Sequence, residues 1–282
     1  MPLVILVAEG EVFDVGVCVT LCGDGDPHDD RISTDERRAI NQSRTARDIR
    51  SIVGYNSHLM NNDRIILVDK PAGMTSFGVV ARIRRVLSKR AGKKVKVGHT
   101  GTLDPFATGL MILVTGKECR NAMHYTKLDK VYEATFVLGQ VSTTGDPEGE
   151  ITLSEQELAP APSLATVQEV VEQFTGEIRQ RPPIFSAIKI GGQRAYKLAR
   201  GGKEVEMPER TVTVYSLDIL DYHYPELKIR AHVSSGTYIR SLAVDIGEAL
   251  GTGAYCQRLR RSSIAKWNVA DAQTLADFGI DD

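Results

Sequence analysis

The stretch Gly98-His99-Thr100-Gly101-Thr102-Leu103-Asp104-Pro105-Phe106-Ala107-Thr108-Gly109, continued by Leu110-Met111-Ile112-Leu113-Val114, sets a polar, glycine-rich loop directly against an apolar run. Glycine lets a backbone turn sharply and come close to a ligand, while Pro105 fixes its own φ and biases Asp104 away from helix. The Asp104 carboxylate is therefore expected on an extended turn, presented by its loop. Such Gly/Thr/Asp-Pro loops also serve as ordinary turns, so the chemical reading depends on the surroundings. The apolar run after it reads as a buried strand.

Upstream, the nine Lys and Arg residues between Lys70 and Leu103 are accompanied by no carboxylate. A basic run is commonly a solvated face, but one without acids beside a candidate site points to a polyanion, of which a phosphodiester backbone is the common case. The asymmetry extends along the chain. Residues 1–59 hold six Arg against ten Asp or Glu, net −4, and residues 60–282 hold 29 basic against 26 acidic residues, net +3. Residues 1–59 show no sustained period of 2 or 3.6 and read as a disordered or weakly helical extension. The patterned domain is expected over 60–282.

Within it, residues 65–68 read as a strand, and Ser76 is expected to cap a helix over 77–87 whose stripe is Val79, Val80, Ile83, Val86 and Leu87. A helix is predicted over 117–126, a strand over 131–138, a polar loop over 139–149, and a helix over 167–174. A short helix is expected around 196–200, an antiparallel pair over 211–220 and 227–233, a helix from Thr237 to Leu250, and a strand over 254–259. Strands interleaved with helices, without regular βαβ repetition or a Gly-x-Gly-x-x-Gly fingerprint, predict an α+β fold with a mixed, largely antiparallel central sheet and flanking helices.

Composition narrows the function. The 282 residues contain no apolar window of membrane-spanning length, and the opening apolar run lacks the basic start and the length of a signal peptide, so a cytoplasmic protein is expected. Cys18, Cys22, Cys119 and Cys256 have neither metal-ligand nor disulfide-framework spacing, which argues against a bound metal. Asp104 has no second carboxylate in its loop, unlike the flanking pair of a glycosidase. A single ionised carboxylate can act as nucleophile or general base, and a neighbouring cation would keep it charged by lowering its pKa. Arg240, in the cluster Gly236-Thr237-Tyr238-Ile239-Arg240, is the candidate cation. Tyr132 and Tyr238 adjoin candidate functional turns, and an aromatic face stabilises an unstacked base by ~1–3 kcal/mol. His99, beside a carboxylate and a basic block, is a candidate to touch a phosphate or wedge a flipped nucleotide.

Taken together, the Gly98–Gly109 segment, the Lys70-Pro71-x-Gly73 turn, the Tyr132 strand with its following loop, Pro182-Pro183-Ile184-Phe185-Ser186-Ala187-x-Lys189, Gly236–Arg240 and Leu259-Arg260-Arg261 resemble, in order, the motifs of the TruB family of tRNA pseudouridine synthases. The resemblance spans about residues 62–268. It implies a pseudouridine synthase fold and an isomerase of the bacterial type that converts the T-loop uridine, U55, to pseudouridine in tRNA. Asp104, Tyr132 and Arg240 would be catalytic: Asp104 breaks the N-glycosidic bond, Tyr132 stacks on the flipped base, and Arg240 pairs with Asp104. His99, Tyr238, Leu259 and Lys70 would contact substrate. Neither cofactor nor metal is implied, the partner is the tRNA T-arm and not DNA or membrane, and a monomer without an obligatory protein partner is expected.

Some positions depart from the family pattern. Phe185 stands where many bacterial members have tyrosine, and Thr143 where the loop often carries an acid. The 15 residues after Trp267 are too few for the PUA-type RNA-binding domain of many relatives. Three other readings share parts of the pattern: the guide-RNA-dependent relatives of archaea and eukaryotes, a tRNA-folding chaperone that opens the T-arm, and a generic basic RNA-binding module. A chaperone would not require Asp104. A basic module accounts for the charge block but not for the Asp104, Tyr132 and Tyr238 segments.

Overall fold

The computed structural model describes residues 63–154, 161–186, 189–190, 193–195 and 207–280. The extension read over 1–59 and the helix expected around 196–200 lie outside them. In chain order the elements are β1 (Ile65–Lys70), α1 (Ser76–Arg90), β2 (Val97–His99), β3 (Thr108–Thr115), a 3-10 segment (Gly116–Asn121) running into α2 (Ala122–Thr126), and β4 (Lys130–Leu138). Next come β5 (Gln140–Ser142), β6 (Ile151–Leu153), α3 (Leu164–Glu172), β7 (Gly176–Gln180), β8 (Lys189–Ile190) and β9 (Gln193–Arg194). The hairpin β10 (Arg210–His223) and β11 (Glu226–Val233) leads to α4 (Ile239–Ala249), β12 (Ala254–Ile264) and β13 (Trp267–Asn268).

The main sheet runs β1-β3-β12-β4-β11-β10-β7, with β2 added to β3 and β13 to β12. Its pairings are antiparallel except where β12 meets β3 in parallel, Arg260 opposite Thr108 and Arg261 opposite Gly109. The fold is thus the α+β, mixed and largely antiparallel architecture that the pattern predicted.

Strand composition follows from what each face covers. In β3 Met111 and Leu113 enter the large core, and Leu110 and Ile112 join a second cluster with Ile264 on the opposite face. Tyr125, Leu128 and Trp267 pack against that second cluster. A strand covered on both faces reads as an unbroken apolar run. By contrast β11 alternates: Leu227, Ile229, Ala231 and Val233 are fully buried, and Arg230 between them is exposed. Helix α1 inserts Val79, Val80, Ile83 and Leu87 into the large core, and α4 inserts Leu242, Ala243 and Ile246.

Several boundaries differ from expectation. Thr75, not Ser76, caps α1, accepting from Gly78 N at 3.0 Å, and Ser76 is buried in a different task described below. The helix expected over 117–126 is split, because its first part winds as 3-10. Part of the loop over 139–149 is strand, β5 pairing with β6. Strand β12 continues past Leu259 to Ile264 through residues that look polar, because Arg261 is buried with carbonyl partners of its own.

Gly109 marks the tightest point of the sheet. Its φ is +106°, and a Cβ there would lie 2.3 Å from the Arg261 carbonyl oxygen and 2.7 Å from Arg261 N. Both obstacles are backbone. Gly92 has φ +60°, but a Cβ at that position would meet nothing within 4 Å. Gly92→Ala is therefore expected to cost about 1 kcal/mol, from left-handed strain alone, and Gly109→Ala at least ~2 kcal/mol more, from the added clash. Urea unfolding of the two variants checks this; equal losses would remove the crossing constraint assigned to Gly109.

Candidate active site

The loop carrying Asp104 is held at successive points by the side chains of Ser76 and Lys70 and by backbone bonds. Ser76 Oγ donates to the Leu103 carbonyl and accepts from Leu103 N, both at 2.8 Å. The Pro105 carbonyl accepts from Gly73 N at 2.8 Å and from Lys70 Nζ at 3.1 Å. Thr100 N donates to Ile112 O at 3.2 Å, tying the start of the loop to β3. The carboxylate sits between clamped neighbours, so its position is set by the β1–α1 turn and the sheet together.

Opposite it, α4 places Arg240 in its first turn with the side chain 4% exposed. A buried guanidinium needs partners for its donors. Nη1 donates to Asp146 Oδ2 at 2.7 Å and to the Thr144 carbonyl at 3.0 Å, and Nη2 to the Phe185 carbonyl at 3.0 Å. Nε lies 3.0 Å from Asp104 Oδ2, an ion pair whose angle falls short of a hydrogen bond. Asp146 is buried in turn and accepts through Oδ1 from Thr144 Oγ1 at 2.5 Å and Glu148 N at 3.0 Å. Three segments distant in sequence converge on one cation.

The cleft above this pair has a volume of about 270 Å³ and is lined by, among others, Asp104, Lys130, Tyr132, Tyr238, Leu259 and Arg261. That volume lies just below the common range of ligand cavities. Arg261 is 1% exposed and donates to Leu110 O at 2.7 Å, Gly101 O at 3.3 Å and Tyr132 Oη at 3.5 Å, which fixes the Tyr132 ring edge. Tyr238 is gripped through its backbone: Gln180 accepts from its N at 2.8 Å and donates to its carbonyl at 3.0 Å. The Arg210 guanidinium lies 4.8 Å from its ring centroid and also bonds the Gly236 carbonyl. Gln180 and Arg210 face each other across β7 and β10, so one cross-strand pair orients one wall of the cleft.

Charge in the cleft is shaped by burial. Burial raises the Asp104 pKa, and although Arg240 and Lys70 pull it down, the net direction is upward. The expectation that a neighbouring cation would leave this carboxyl below its usual value is corrected here: desolvation outweighs the ion pair. Burial likewise lowers Lys70 and Lys130, each to about 8. Glu148, at the exposed turn after Asp146, is raised by burial and by the Asp146 and Asp104 charges.

The structure thus brings Asp104, Tyr132, Arg240, Tyr238 and Leu259 to one cleft. Lys70 is placed elsewhere: it is fully buried, and its ammonium donates to the carbonyls of Pro71, Met74 and Pro105. A direct substrate contact from Lys70 is therefore not what the geometry offers; it positions the loop. His99, in β2 opposite Leu113, does not line the cleft, and burial together with Arg261 lowers its pKa, favouring the neutral ring over a phosphate-binding cation. Sequence reasoning missed Asp146, Lys130, Gln180 and Arg210, and it gave no role to Arg261 of the Leu259-Arg260-Arg261 segment. Asp146 follows Gly145, at φ +71°, in a polar turn that invited a loop assignment, and only its burial against Arg240 marks it.

Comparison with known proteins follows the same lines. Residues 84–239 match the TruB family pseudouridylate synthase N-terminal domain, and residues 240–279 the tRNA pseudouridylate synthase B C-terminal domain. In this structure the second segment supplies α4 and β12, which lie within the same sheet assembly as the first. The tRNA pseudouridine synthase B of Corynebacterium jeikeium is 42% identical over 234 residues, 79% of this chain and 73% of its own. That of Opitutus terrae is 43% identical over 213 residues, 76% of this chain and 86% of its own. Among solved structures, a chain of a Cbf5-Nop10-Gar1 complex aligns with a TM-score of 0.60 at 30% identity over 79% of this chain. This chain spans about half of that one, 54%. With a family match over more than half its length and relatives above 40% identity, the chain belongs to the TruB family of pseudouridine synthases.

Proposed function

We propose that the protein isomerises U55 in the T-loop of tRNA to pseudouridine. The observation that carries this reading is the Asp104 carboxylate, 3.0 Å from the buried Arg240 Nε, at a cleft walled by Tyr132, Tyr238 and Leu259. The family membership and relatives named tRNA pseudouridine synthase B support the choice of RNA class. A uridine stacked in a folded loop cannot reach a recessed carboxylate, so it must be extruded, and the aromatic faces of Tyr132 and Tyr238 compensate the lost stacking. The chemistry balances without a co-reactant: the bond from C1′ to N1 breaks, a bond from C1′ to C5 forms, the proton on C5 leaves, and N1 gains one.

Each residue has a physical share in that sequence. Asp104 acts at the ribosyl uracil as nucleophile or base. Its Oδ2 lies 3.0 Å from Arg240 Nε, and the carboxylate lines the cleft. Arg240 has three of its four Nη donors committed, so its position is fixed and its charge holds the carboxylate in one orientation. Tyr132, its hydroxyl held by Arg261, stacks on the base. Leu259 excludes water from the apolar side, and Lys70 holds Pro105 and thereby Asp104. His99, outside the cleft lining, would meet the T-loop only beyond the extruded base. The protein works as a soluble cytoplasmic monomer in this reading.

A second reading has one observation in its favour, since the aligned solved structures include a box H/ACA Nop10-Cbf5 complex, at 28% identity. The relatives at 42–43% identity are named tRNA enzymes, and on that difference the stand-alone tRNA reading is preferred.

An unmodified tRNA transcript incubated with the purified protein should acquire pseudouridine at position 55, mapped by mass spectrometry. Asp104→Asn should lower the single-turnover rate by at least ~10²-fold while transcript binding stays within about tenfold, because phosphate contacts supply most of the affinity. Undiminished turnover in the variant would remove Asp104 from the chemistry. The pH dependence has a definite sign. The ionised form of Asp104 is the reactive one and its pKa is raised above 3.8, so the rate should fall as pH drops through a midpoint above that value. A rate that stays flat down to the ordinary aspartate range would contradict this. By the same linkage, ionisation of Asp104 costs the native state stability, so Asp104→Asn should melt no lower than the unsubstituted protein at neutral pH.

A further inference from the structure

We propose that the Ser186 hydroxyl holds the ribose 2′-hydroxyl of the extruded nucleotide; this rests on the reading of the cleft as a pseudouridine synthase site. Ser186 lines the cleft and is 6% exposed. Its Oγ is buried and has no hydrogen-bond partner among the described residues. A serine in a turn ordinarily bonds its hydroxyl to nearby backbone. Here the turn is closed without it, by Ser186 N donating to the Ile184 carbonyl at 2.9 Å. Among the described residues the other buried side-chain atoms in this condition are His99 Nδ1, Arg210 Nε, Arg240 Nε and Gln257 Oε1. Of those residues only Arg240 lines the same cleft, and its Nε already faces Asp104. Keeping a hydroxyl out of water with nothing to bond costs stability. In the wall of a cleft, that bond is completed when a ligand enters.

Two contacts to α4 set where this hydroxyl stands. Ser241 Oγ donates to the Arg181 carbonyl at 2.8 Å, and Arg240 Nη2 donates to the Phe185 carbonyl at 3.0 Å. Between the two anchors Pro182 and Pro183 hold their own φ angles. The second anchor decides the position. Nε and Nη2 are bonded to the same guanidinium carbon, so their partners, Asp104 Oδ2 at 3.0 Å and the Phe185 carbonyl, lie side by side. Ser186 follows that carbonyl directly, which sets it on the Asp104 side of the cleft. Tyr132, Tyr238 and Leu259 supply the faces that take the base.

The substrate has one hydroxyl suited to that place. Asp104 acts where C1′ joins the base, and C2′, which carries the 2′-hydroxyl, is bonded to C1′. The carbonyls and N–H of uracil belong instead to the ring held between the aromatic faces. A serine hydroxyl both donates and accepts, as does a 2′-hydroxyl, so the two can pair in either sense. Extrusion takes the 2′-hydroxyl out of water, and Ser186 replaces the bond it loses. The contact also separates RNA from DNA, because the 2′-hydroxyl is what differs between them at a given nucleotide. Ser186 thus binds and orients the sugar, and no covalent bond of its own changes.

The test uses the full chain and two tRNA transcripts that differ only at position 55, one with uridine and one with 2′-deoxyuridine. Ser186→Ala removes the hydroxyl alone. On the uridine transcript its single-turnover rate at subsaturating protein should fall about tenfold, the effect of one neutral hydrogen bond. The inhibition constant of the deoxyuridine transcript, measured against turnover of the uridine transcript, should be the same for both proteins. Ser186→Ala should also melt no lower than the unsubstituted protein, since it deletes a buried group without a partner. Ser186→Cys, close in size and a weak donor, should show the same split at smaller amplitude. An unchanged rate on the uridine transcript would overturn the proposal, and so would a loss shared by both transcripts, which would put the bond on the base. A lowered melting temperature would overturn it as well, by showing that the hydroxyl has a partner in the native protein. Failure of the parent reading looks different: the unsubstituted protein would leave position 55 of the uridine transcript unmodified.

Discussion

The buried guanidinium of Arg240 is the interaction on which the site depends. Removing a charge from water costs several kcal/mol unless paired, and Arg240 meets that cost with a carboxylate, two carbonyls and the remaining contact to Asp104. Those partners come from the β5–β6 turn, the segment after β7, and the loop before β3. Satisfying one cation therefore fixes how three loops approach the start of α4. Asp146 is as important to this as Asp104, since without it Arg240 would have one carboxylate to neutralise it and could move toward whichever loop offered another.

Beneath this hub the sheet supplies rigidity. Gly109 lets β3 and β12 meet in parallel, and that crossing brings Arg261 under the Asp104 loop, where it binds Gly101 O, Leu110 O and Tyr132 Oη. Ser76 and Lys70 hold the same loop from its other side. The carboxylate is thus carried by an irregular segment, yet its surroundings are strands and helix starts, which keeps a loop residue in one geometry.

The cleft holds its charges at a cost. Asp104 is raised by burial, and Lys70 and Lys130 are lowered to about 8. A lysine whose native pKa lies below its unfolded value is charged at neutral pH in both states, so its desolvation destabilises the native state there; the penalty is relieved as pH rises through about 8 toward 10.5. The carboxylate bears a penalty of the opposite pH sense. Such opposed, desolvated groups are typical of sites where charge is kept for chemistry at the expense of stability.

Fold class, the main strands and helices, and most of the cleft are legible in residue order alone. The alternation of β11, the doubly covered run of β3 and the stripe of α1 are local periodicities, and burial on a sheet or helix face obeys the same period. Asp104, Tyr132, Tyr238, Leu259 and Arg240 stand out because glycine, proline and aromatic residues gather around them in short segments. The remainder emerges when distant segments meet. Asp146, Gln180 and Arg210 carry no local signature, since a polar residue in a turn or strand looks alike whether it meets water or a buried partner dozens of residues away. The placing of Lys70 under the loop and the upward shift of Asp104 belong to this second group, because burial is a property of the assembled chain and here it outweighs the nearby charge.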